Sequence, residues 1–221
     1  MVSYNWDFSI VLAHKQAILS GVLTTLELTL LSIFFGSLIG WGLALLKSSK
    51  NKTLKYISAS IIEIFRDLPL LVLLVWMFYT LPPIIGIQVS AFTTAVIALS
   101  LNLGAFSAEI FRAGFNSVHK GQTEAAKVLG LKRLQSFRHI IFPQALKVIL
   151  PPLTGRYIET IKLTSLASVI AVNELLHQGQ NLISVSYRPL EVYTVVALMY
   201  LVIIVPLSLL LQKVERKNVR S

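Results

Sequence analysis

Long apolar runs constrain this chain more than any other feature of its sequence. A helix that spans a bilayer needs about 20 consecutive, mostly apolar residues, and four stretches meet that requirement: 20–46, 56–81, 91–111 and 190–211. A fifth stretch, 153–172, follows the pair Pro151 and Pro152 and is interrupted by charged residues. The runs predict an all-α membrane protein with about five transmembrane helices, of which 153–172 is the fourth in chain order.

The composition excludes most other classes of protein. Of the 221 residues, 55% are hydrophobic and 14% are charged, whereas a soluble domain carries roughly 25% charged residues. These proportions exclude a soluble domain, a disordered chain and a coiled coil. The net charge of +10 does not indicate a nucleic-acid partner, because the charges lie between apolar runs. The chain has no cysteine and only four scattered histidines, so we expect no disulfide, no metal and no bound cofactor.

The positions of lysine and arginine predict the orientation in the membrane. They cluster after the first run (47–55), after the third run (112–138) and at the chain end (213–220), whereas the loop 82–90 carries no charge. Because positive residues mark the cytoplasmic side, we place the N-terminus outside and the C-terminus inside. This divides the chain into an outer segment, 1–19, a transmembrane domain, 20–211, with a cytoplasmic loop at 112–143, and a basic tail, 212–221. In the first run, the spacing of Gly36 and Gly40 favours a close approach of another helix.

Polar residues near the middle of three spans are candidates for a solute site, since ionisable groups at membrane depth are costly. At 1.5 Å per helical residue, Asp67 and Asn102 each lie about 16 Å into their spans. Pro69 predicts a bend or opening of the helix beside Asp67. The candidates are Asp67, Asn102, Lys162, Thr164 and Ser165. Such a site suits an α-amino acid, with its ammonium on Asp67 and its carboxylate on the later residues. In the structural alternative, Arg66 neutralises Asp67, and Asn102 holds helices together.

The loop after the third run contains the most informative pattern in the chain. Glu124, Ala125 and Ala126 are followed by Gly130, and nine residues later by Ile-Ile-Phe-Pro, ending at Pro143. The pattern predicts a short helix, a stop at Gly130 in the left-handed conformation, and a second helix. We expect Glu124 in the first turn, where it suits the helix dipole, and the two alanines on a flat face. Such an element is a docking site; the alternative is an amphipathic loop that lies on the membrane.

This loop resembles the EAA loop of ATP-binding-cassette (ABC) importer permeases, E-A-A-x3-G-x9-I-x-L-P. Phe142 stands where leucine is usual, and every other fixed position matches. The flanking sequences resemble the permeases of polar amino acids (the histidine, glutamine, glutamate and arginine group), and the resemblance covers about residues 17–215. One departure is the pair Asp67 and Leu68, where many members have Gly-Thr. It implies either a different solute preference or a solute pocket that lies in a partner subunit, with this side structural.

The resemblance implies a type I importer permease fold in a bacterial inner membrane. It also implies that Glu124, Ala125, Ala126, Gly130 and Pro143 couple the chain to a separate ATPase subunit, which uses ATP and Mg²⁺. Further implied partners are a second copy or paralogue of the permease, an extracytoplasmic solute-binding protein, an amino-acid solute and the lipid bilayer. The five mid-span polar residues match the solute pathway of the family.

Two other functions compete with this interpretation. A stand-alone carrier driven by an ion or proton gradient would use Asp67, Glu63 and Glu109 as a proton relay, but we detect no inverted repeat. A membrane enzyme would need a nucleophile or metal cluster, and the sequence contains neither pattern. The chain also lacks the G-x-x-x-x-G-K-[ST] phosphate loop, so any ATP hydrolysis belongs to another polypeptide.

Overall fold

A computed structural model describes the backbone of residues 4–220, and the side chains of that range except those of 214 and 217–220. The first three residues of the predicted outer segment and the last residue of the predicted basic tail therefore lie outside the described residues. In the described part every regular element is helical, which confirms the predicted all-α class.

Eleven α-helices occur within residues 4–220. Their bounds are α1 Ser9–Ala13, α2 Lys15–Lys47, α3 Lys52–Asp67, α4 Leu70–Val75, α5 Leu81–Ile85, α6 Ala91–Asn116, α7 Lys120–Val128, α8 Arg133–Ser136, α9 Phe142–Leu163, α10 Leu175–Ser186 and α11 Pro189–Arg220. Two π-helical turns, Trp76–Thr80 and Phe137–Ile141, and one 3₁₀ segment, Thr164–Ile170, connect some of them. Each π turn lies close before a proline, whose ring would clash with the carbonyl four residues earlier in an α-helix.

Three of the described helices are long and apolar enough to cross a membrane, judged by length and composition: Lys15–Lys47, Ala91–Asn116 and Pro189–Lys213. The helices Lys52–Asp67 and Leu70–Ile85, which meet at a bend of 102°, make a fourth if they count as one broken span. The break confirms the prediction at Pro69, which has no N–H with which to continue the helix.

The predicted run 153–172 differs from the structure. Helix α9 begins well before it, at Phe142, and contains Pro151 and Pro152 instead of starting after them. The helix then changes to the 3₁₀ segment Thr164–Ile170. The run is therefore divided between two kinds of helix, and a total of five spans stays a prediction.

Contacts divide the chain into two compact units. The first unit contains the residues up to 33, 68–99 and 159–206, and the second contains 34–67, 100–158 and the residues from 207 onward. Helices α2, α6, α9 and α11 contribute residues to both.

The core of the second unit brings together parts of α2, α3, α6 and α9. A Cβ atom on Gly40 would lie 2.7 Å from the Ser107 Cβ, and one on Gly36 would lie 2.8 Å from the Leu103 side chain. Only glycine allows α2 and α6 to pack this closely, which confirms the close approach predicted from the spacing. The buried cluster beside this contact includes Leu43, Ile62, Phe111, Ala145 and Ile149.

In the first unit, α10 packs on both α2 and α11. A Cβ atom on Gly21 would lie 2.9 Å from the Leu175 Cα, and one on Gly179 would lie 2.7 Å from the Val196 side chain. The backbone N–H of Leu175 also donates to the Thr25 hydroxyl at 3.2 Å. Small residues thus allow α10 to pack closely against α2 and α11.

Candidate functional site

The helical loop of residues 119–143 lies entirely in the second unit, and helix α7 is its first element. His119 caps α7, because its Nδ1 atom accepts a hydrogen bond from the Gly121 N–H at 3.1 Å. The helix begins at Lys120, earlier than we expected. Glu124 is therefore in the second turn and not the first, and it is exposed.

Gly130 ends α7 in the predicted left-handed conformation, with φ of 72°. The Leu131 N–H donates to the Ala126 carbonyl at 3.1 Å, and the Gly130 N–H donates to the Lys127 carbonyl at 3.0 Å. This pair of bonds is a Schellman motif, which satisfies the last carbonyls of a helix. A Cβ atom on Gly130 would have nothing within 4 Å, so only the backbone conformation selects glycine at this position.

The two alanines of the motif face different ways. Ala126 is fully buried, whereas Ala125 is exposed. Helix α7 packs against α8 and the π turn Phe137–Ile141. We expected both alanines on one flat face. In the structure Ala126 instead points inward, and only Ala125 lies on the outer surface.

Large apolar side chains of the helical loop are exposed among basic residues. Val128, Leu129 and Leu134 are 87%, 74% and 76% exposed. The exposed basic neighbours are Lys127, Lys132, Arg133 and Arg138. Pro143 is exposed in the first turn of α9, a position that proline suits. Exposed apolar residues with charged neighbours are typical of a site that binds another protein or a membrane.

Of the predicted solute-pathway residues, Asp67 and Asn102 belong to the second unit. Asp67 ends α3 with 69% of its side chain exposed, and it accepts a hydrogen bond from the neighbouring Arg66 Nε at 3.3 Å. This is the pairing that the structural alternative predicts. It leaves the carboxylate largely accessible.

Asn102 is buried, and both ends of its amide are bonded. Its Nδ2 donates to the Phe65 carbonyl at 3.0 Å, and its Oδ1 accepts from Arg156 Nη2 at 2.8 Å. The N–H that would normally serve the Phe65 carbonyl belongs to residue 69, which is proline. Asn102 thus satisfies a carbonyl that Pro69 leaves without its helical partner.

Arg156 is a further residue of this site and is not among the predicted site residues. Its guanidinium lies 3.5 Å from the centre of the Phe106 ring, a distance typical of a cation–π contact. Asn102 and Phe106 are four residues apart on α6 and therefore share one face. An arginine within a mostly apolar helix indicates that its side chain has a partner. The pair Asn102 and Phe106, on one face of α6, could have been considered for that contact.

The remaining pathway candidates, Lys162, Thr164 and Ser165, belong to the first unit, where α9 changes to the 3₁₀ segment. Thr164 is fully buried, and its hydroxyl donates to the Ile161 carbonyl at 2.7 Å. The Ser165 hydroxyl donates to the Lys162 carbonyl at 2.8 Å. The Lys162 side chain is exposed.

Two fully buried glutamates of the first unit were also missed. Glu174 caps α10, because its carboxylate accepts from the N–H groups of Leu176 and His177 at 2.9 and 2.7 Å. The Tyr200 hydroxyl donates to it at 2.7 Å. The usual N-cap residues are Ser, Thr, Asp, Asn and Gly, so a glutamate before Leu175 and Leu176 is not a pattern that predicts such a cap.

Glu191, in the first turn of α11, binds the N-terminal segment. The Tyr4 hydroxyl donates to it at 2.6 Å, the Asp7 N–H at 3.1 Å, and Arg188 Nη1 at 3.1 Å. The hydrogen bond to this carboxylate raises the pKa of the Tyr4 hydroxyl. The hydrogen bonds from Ser9 lower the pKa of Asp7.

Comparison with known proteins identifies the family. The family model described as "Binding-protein-dependent transport system inner membrane component" matches residues 17–220. The chain belongs to this family. It is 35% identical over 213 residues to the glutamine transport system permease protein GlnP of Escherichia coli K12, a match that covers 96% of this chain and 97% of the relative. It is 33% identical over 213 residues to the arginine transport system permease protein ArtQ of Bacillus subtilis, with the same coverage of both chains.

Solved structures agree with this assignment. A crystal structure of an amino acid ABC transporter with histidines is 38% identical, with a TM-score of 0.88 over 97% of this chain and 100% of that chain. An inward-facing MetNI methionine ABC transporter is 21% identical, with a TM-score of 0.75 over 93% of this chain and 98% of that chain, and supports the fold alone. The chain is thus the permease component of an ABC importer, with the predicted type I fold.

Proposed function

We propose that this permease moves polar amino acids across the inner membrane of a bacterium, into the cell. The relatives named for glutamine and arginine transport support this class of solute. The uncharged loop 82–90 and the basic regions 47–55 and 112–138 support an orientation with the N-terminus outside and the C-terminus inside.

The single observation that carries the proposal is the form of the helical loop. A capped nine-residue helix, Lys120–Val128, exposes Ala125 and is followed by the exposed apolar residues Val128 and Leu129. The loop is short and held by its own hydrogen bonds, so it can enter a groove on a partner without first becoming ordered. We assign Glu124, Ala125, Ala126, Gly130 and Pro143 to the coupling with an ATPase subunit, of which Ala126 acts from inside the loop.

The partner ATPase binds ATP and Mg²⁺ and hydrolyses the nucleotide, whereas this chain binds neither. An extracytoplasmic protein delivers the solute, and a second copy of this chain or a paralogue completes the membrane part. The free energy released by ATP hydrolysis then drives uptake through a conformational change of the two permease subunits.

The five pathway residues take different parts in this proposal. Asp67 of the second unit and Lys162 of the first unit are both exposed, so each can contact an oppositely charged group of a passing solute. Asn102 and Thr164 are buried and bonded within the chain, so we assign them to holding the pathway in shape. The Ser165 hydroxyl is bonded to its own turn and can exchange that bond for one to a carboxylate.

The experiment is a reconstitution in liposomes with the candidate ATPase subunit and solute-binding protein. We expect uptake of labelled L-glutamine or L-arginine only when ATP is present on the side of the ATPase. Uptake by the chain alone, driven by an ion gradient, would contradict the proposal and favour a stand-alone carrier.

A further inference from the structure

Five aromatic rings of the second unit form a continuous series that ends in the helical loop. We call Trp41, Phe111, Phe115, Phe137 and Phe142 the aromatic chain. Trp41 of α2 contacts Phe111 and Phe115 of α6 edge to face, with ring centres 5.4 and 5.5 Å apart. Phe115 stacks on Phe137 at 5.8 Å, and Phe137 contacts Phe142 at 5.8 Å. These separations lie in the range in which aromatic pairs attract each other.

The π turn at Phe137–Ile141 makes the last contact possible. In an α-helix, residues five positions apart point roughly 140° away from each other. Here the Phe142 N–H donates to the Phe137 carbonyl, a bond between residues five apart that widens the turn. This brings Phe137 and Phe142 onto the same side of the helix. The local backbone geometry is therefore matched to the ring contact.

The two ends of the aromatic chain lie in different surroundings. Phe111 is buried in the core cluster of the second unit, and Trp41 and Phe115 pack against that cluster. Phe137 and Phe142 are each 36% exposed, and α7 packs against the π turn that contains Phe137. The rings therefore lead from the core of the unit to the segment that supports α7.

We propose that the aromatic chain positions the helical loop on α2 and α6, so that movement of α7 by a partner is passed to these helices. The inference rests on the proposed coupling function. It also gives a reason for Phe142, where related loops have leucine: a leucine would end the series at Phe137. The five rings are positioning residues, since none belongs to the exposed surface of α7.

The test compares variants in the reconstituted complex with ATPase subunit, binding protein and L-glutamine or L-arginine. Phe137→Leu removes the ring in the middle of the series and keeps an apolar side chain. Phe137→Tyr keeps the ring. Phe34→Leu is the matched control, because Phe34 forms an edge-to-face pair with Phe35 in the same unit, at 5.2 Å, outside the aromatic chain. Two quantities are measured: the affinity for the ATPase subunit and the stimulation of ATP hydrolysis by liganded binding protein.

We expect Phe137→Leu to bind the ATPase subunit within about twofold of the natural chain and to lose stimulation by about three- to tenfold, the factor that corresponds to the loss of one or two aromatic contacts. Phe137→Tyr and Phe34→Leu should keep the natural stimulation. Unchanged stimulation in Phe137→Leu would overturn the inference. A loss of stimulation in proportion to lost ATPase binding would also overturn it, because the ring would then only maintain the fold of the loop.

A double-mutant cycle gives a second test that does not depend on the size of one effect. If Phe115 and Phe137 act through their mutual contact, the variant with both leucines should lose no more stimulation than the worse single variant. A loss equal to the product of the two single losses would overturn the inference. The natural chain tests the proposed function separately: if it neither binds the ATPase subunit nor stimulates it, that function fails and the inference fails with it.

Discussion

Two glycines show how one residue type can have different consequences at different places. Gly86 and Gly130 both have a positive φ of nearly the same size, 70° and 72°. A Cβ atom at either position would have nothing within 4 Å. Gly86 ends α5, whereas Gly130 ends α7 in the helical loop. They form a matched pair in which the conformational cost of a side chain is the same and the location differs.

This pair gives the first prediction. Gly130→Arg should insert normally but lose solute-stimulated ATP hydrolysis, since a side chain in the left-handed conformation costs about 1–2 kcal/mol and would also lie on the docked surface. Gly130→Asn should keep most of the activity, because asparagine tolerates this conformation. Gly86→Arg is the control for the backbone cost. Equal loss of activity in Gly86→Arg and Gly130→Arg would show that the effect is one of folding and not of coupling.

The amide of Asn102 gives the second prediction. Asn102→Ala should lower the free energy of unfolding by about 1–3 kcal/mol, because the Phe65 carbonyl loses the donor of a partly buried hydrogen bond and Arg156 loses an acceptor. The measurement is thermal unfolding of the purified protein in detergent. A variant as stable as the natural chain would show that these bonds contribute nothing net.

Asp67→Asn is the companion variant, since Asp67 is exposed. Its stability should stay within about 0.5 kcal/mol of the natural value, while solute uptake should weaken more than subunit assembly. Unchanged uptake kinetics would place Asp67 outside the solute pathway.

At the scale of single residues, the sequence predicts local features such as helix caps. It does not predict which residues far along the chain a side chain contacts. The cap at Gly130 follows from a glycine at the end of a short helical pattern, so it could be predicted. The burial of Glu174 and Glu191 depends on Tyr200 and Tyr4, which lie 26 and 187 positions away. No local pattern reveals such pairings, and a carboxylate beside an apolar run is therefore easily placed at a membrane surface.

At the scale of elements, α6 and α9 are the helices before and after the helical loop, and they pack closely against each other. A Cβ atom on Gly114, near the end of α6, would clash with the Ile149 side chain of α9. Gly155, also in α9, has open space around it. The two helices that enter and leave the loop are thus in direct contact through a position where only glycine fits.

This contact gives the third prediction. Gly114→Ala should destabilise the protein by about 1–3 kcal/mol through overpacking, and the same change should cost less in an Ile149→Ala background, where the facing side chain is shortened. Gly155→Ala should be neutral or slightly stabilising, because alanine favours the helix and meets no neighbour. Thermal unfolding of Gly114→Ala, Ile149→Ala, their double variant and Gly155→Ala makes the comparison, and a neutral Gly114→Ala would contradict the close packing.

The N-terminal segment gives the fourth prediction. Tyr4→Phe removes the hydrogen bond to Glu191 and should increase amide hydrogen exchange in residues 4–8 while α11 stays protected. Tyr187→Phe, at a position that is 85% exposed, is the control and should change nothing. Equal exchange in Tyr4→Phe and the natural chain would show that the segment is held by other contacts.

The apolar runs predicted the positions of the long helices better than they predicted the backbone geometry within them. Hydropathy located α2, α6 and α11, and Pro69 predicted the break between α3 and α4. The π turn before Phe142 and the 3₁₀ segment at Thr164–Ile170 could not be predicted, because they depend on proline accommodation and tertiary packing rather than on apolar periodicity. The extent of α9 was missed for the same reason: Pro151 and Pro152 lie inside a helix that we expected to begin after them.

At the scale of the whole molecule, the chain has the fold of an importer permease and no phosphate loop in its sequence. In the function that we propose, a second polypeptide uses the ATP. The exposed apolar residues of the helical loop, Val128, Leu129 and Leu134, offer a surface for that polypeptide. We propose that the energy of ATP hydrolysis reaches this permease through the helical loop.

The most direct test measures uptake of labelled L-glutamine and L-arginine into proteoliposomes that contain this chain, the ATPase subunit and the binding protein. We predict uptake that requires ATP and all the subunits, and that Gly130→Arg abolishes while Gly86→Arg does not. Uptake that persists without ATP or the ATPase subunit, or that proceeds unchanged in Gly130→Arg, would contradict the claim.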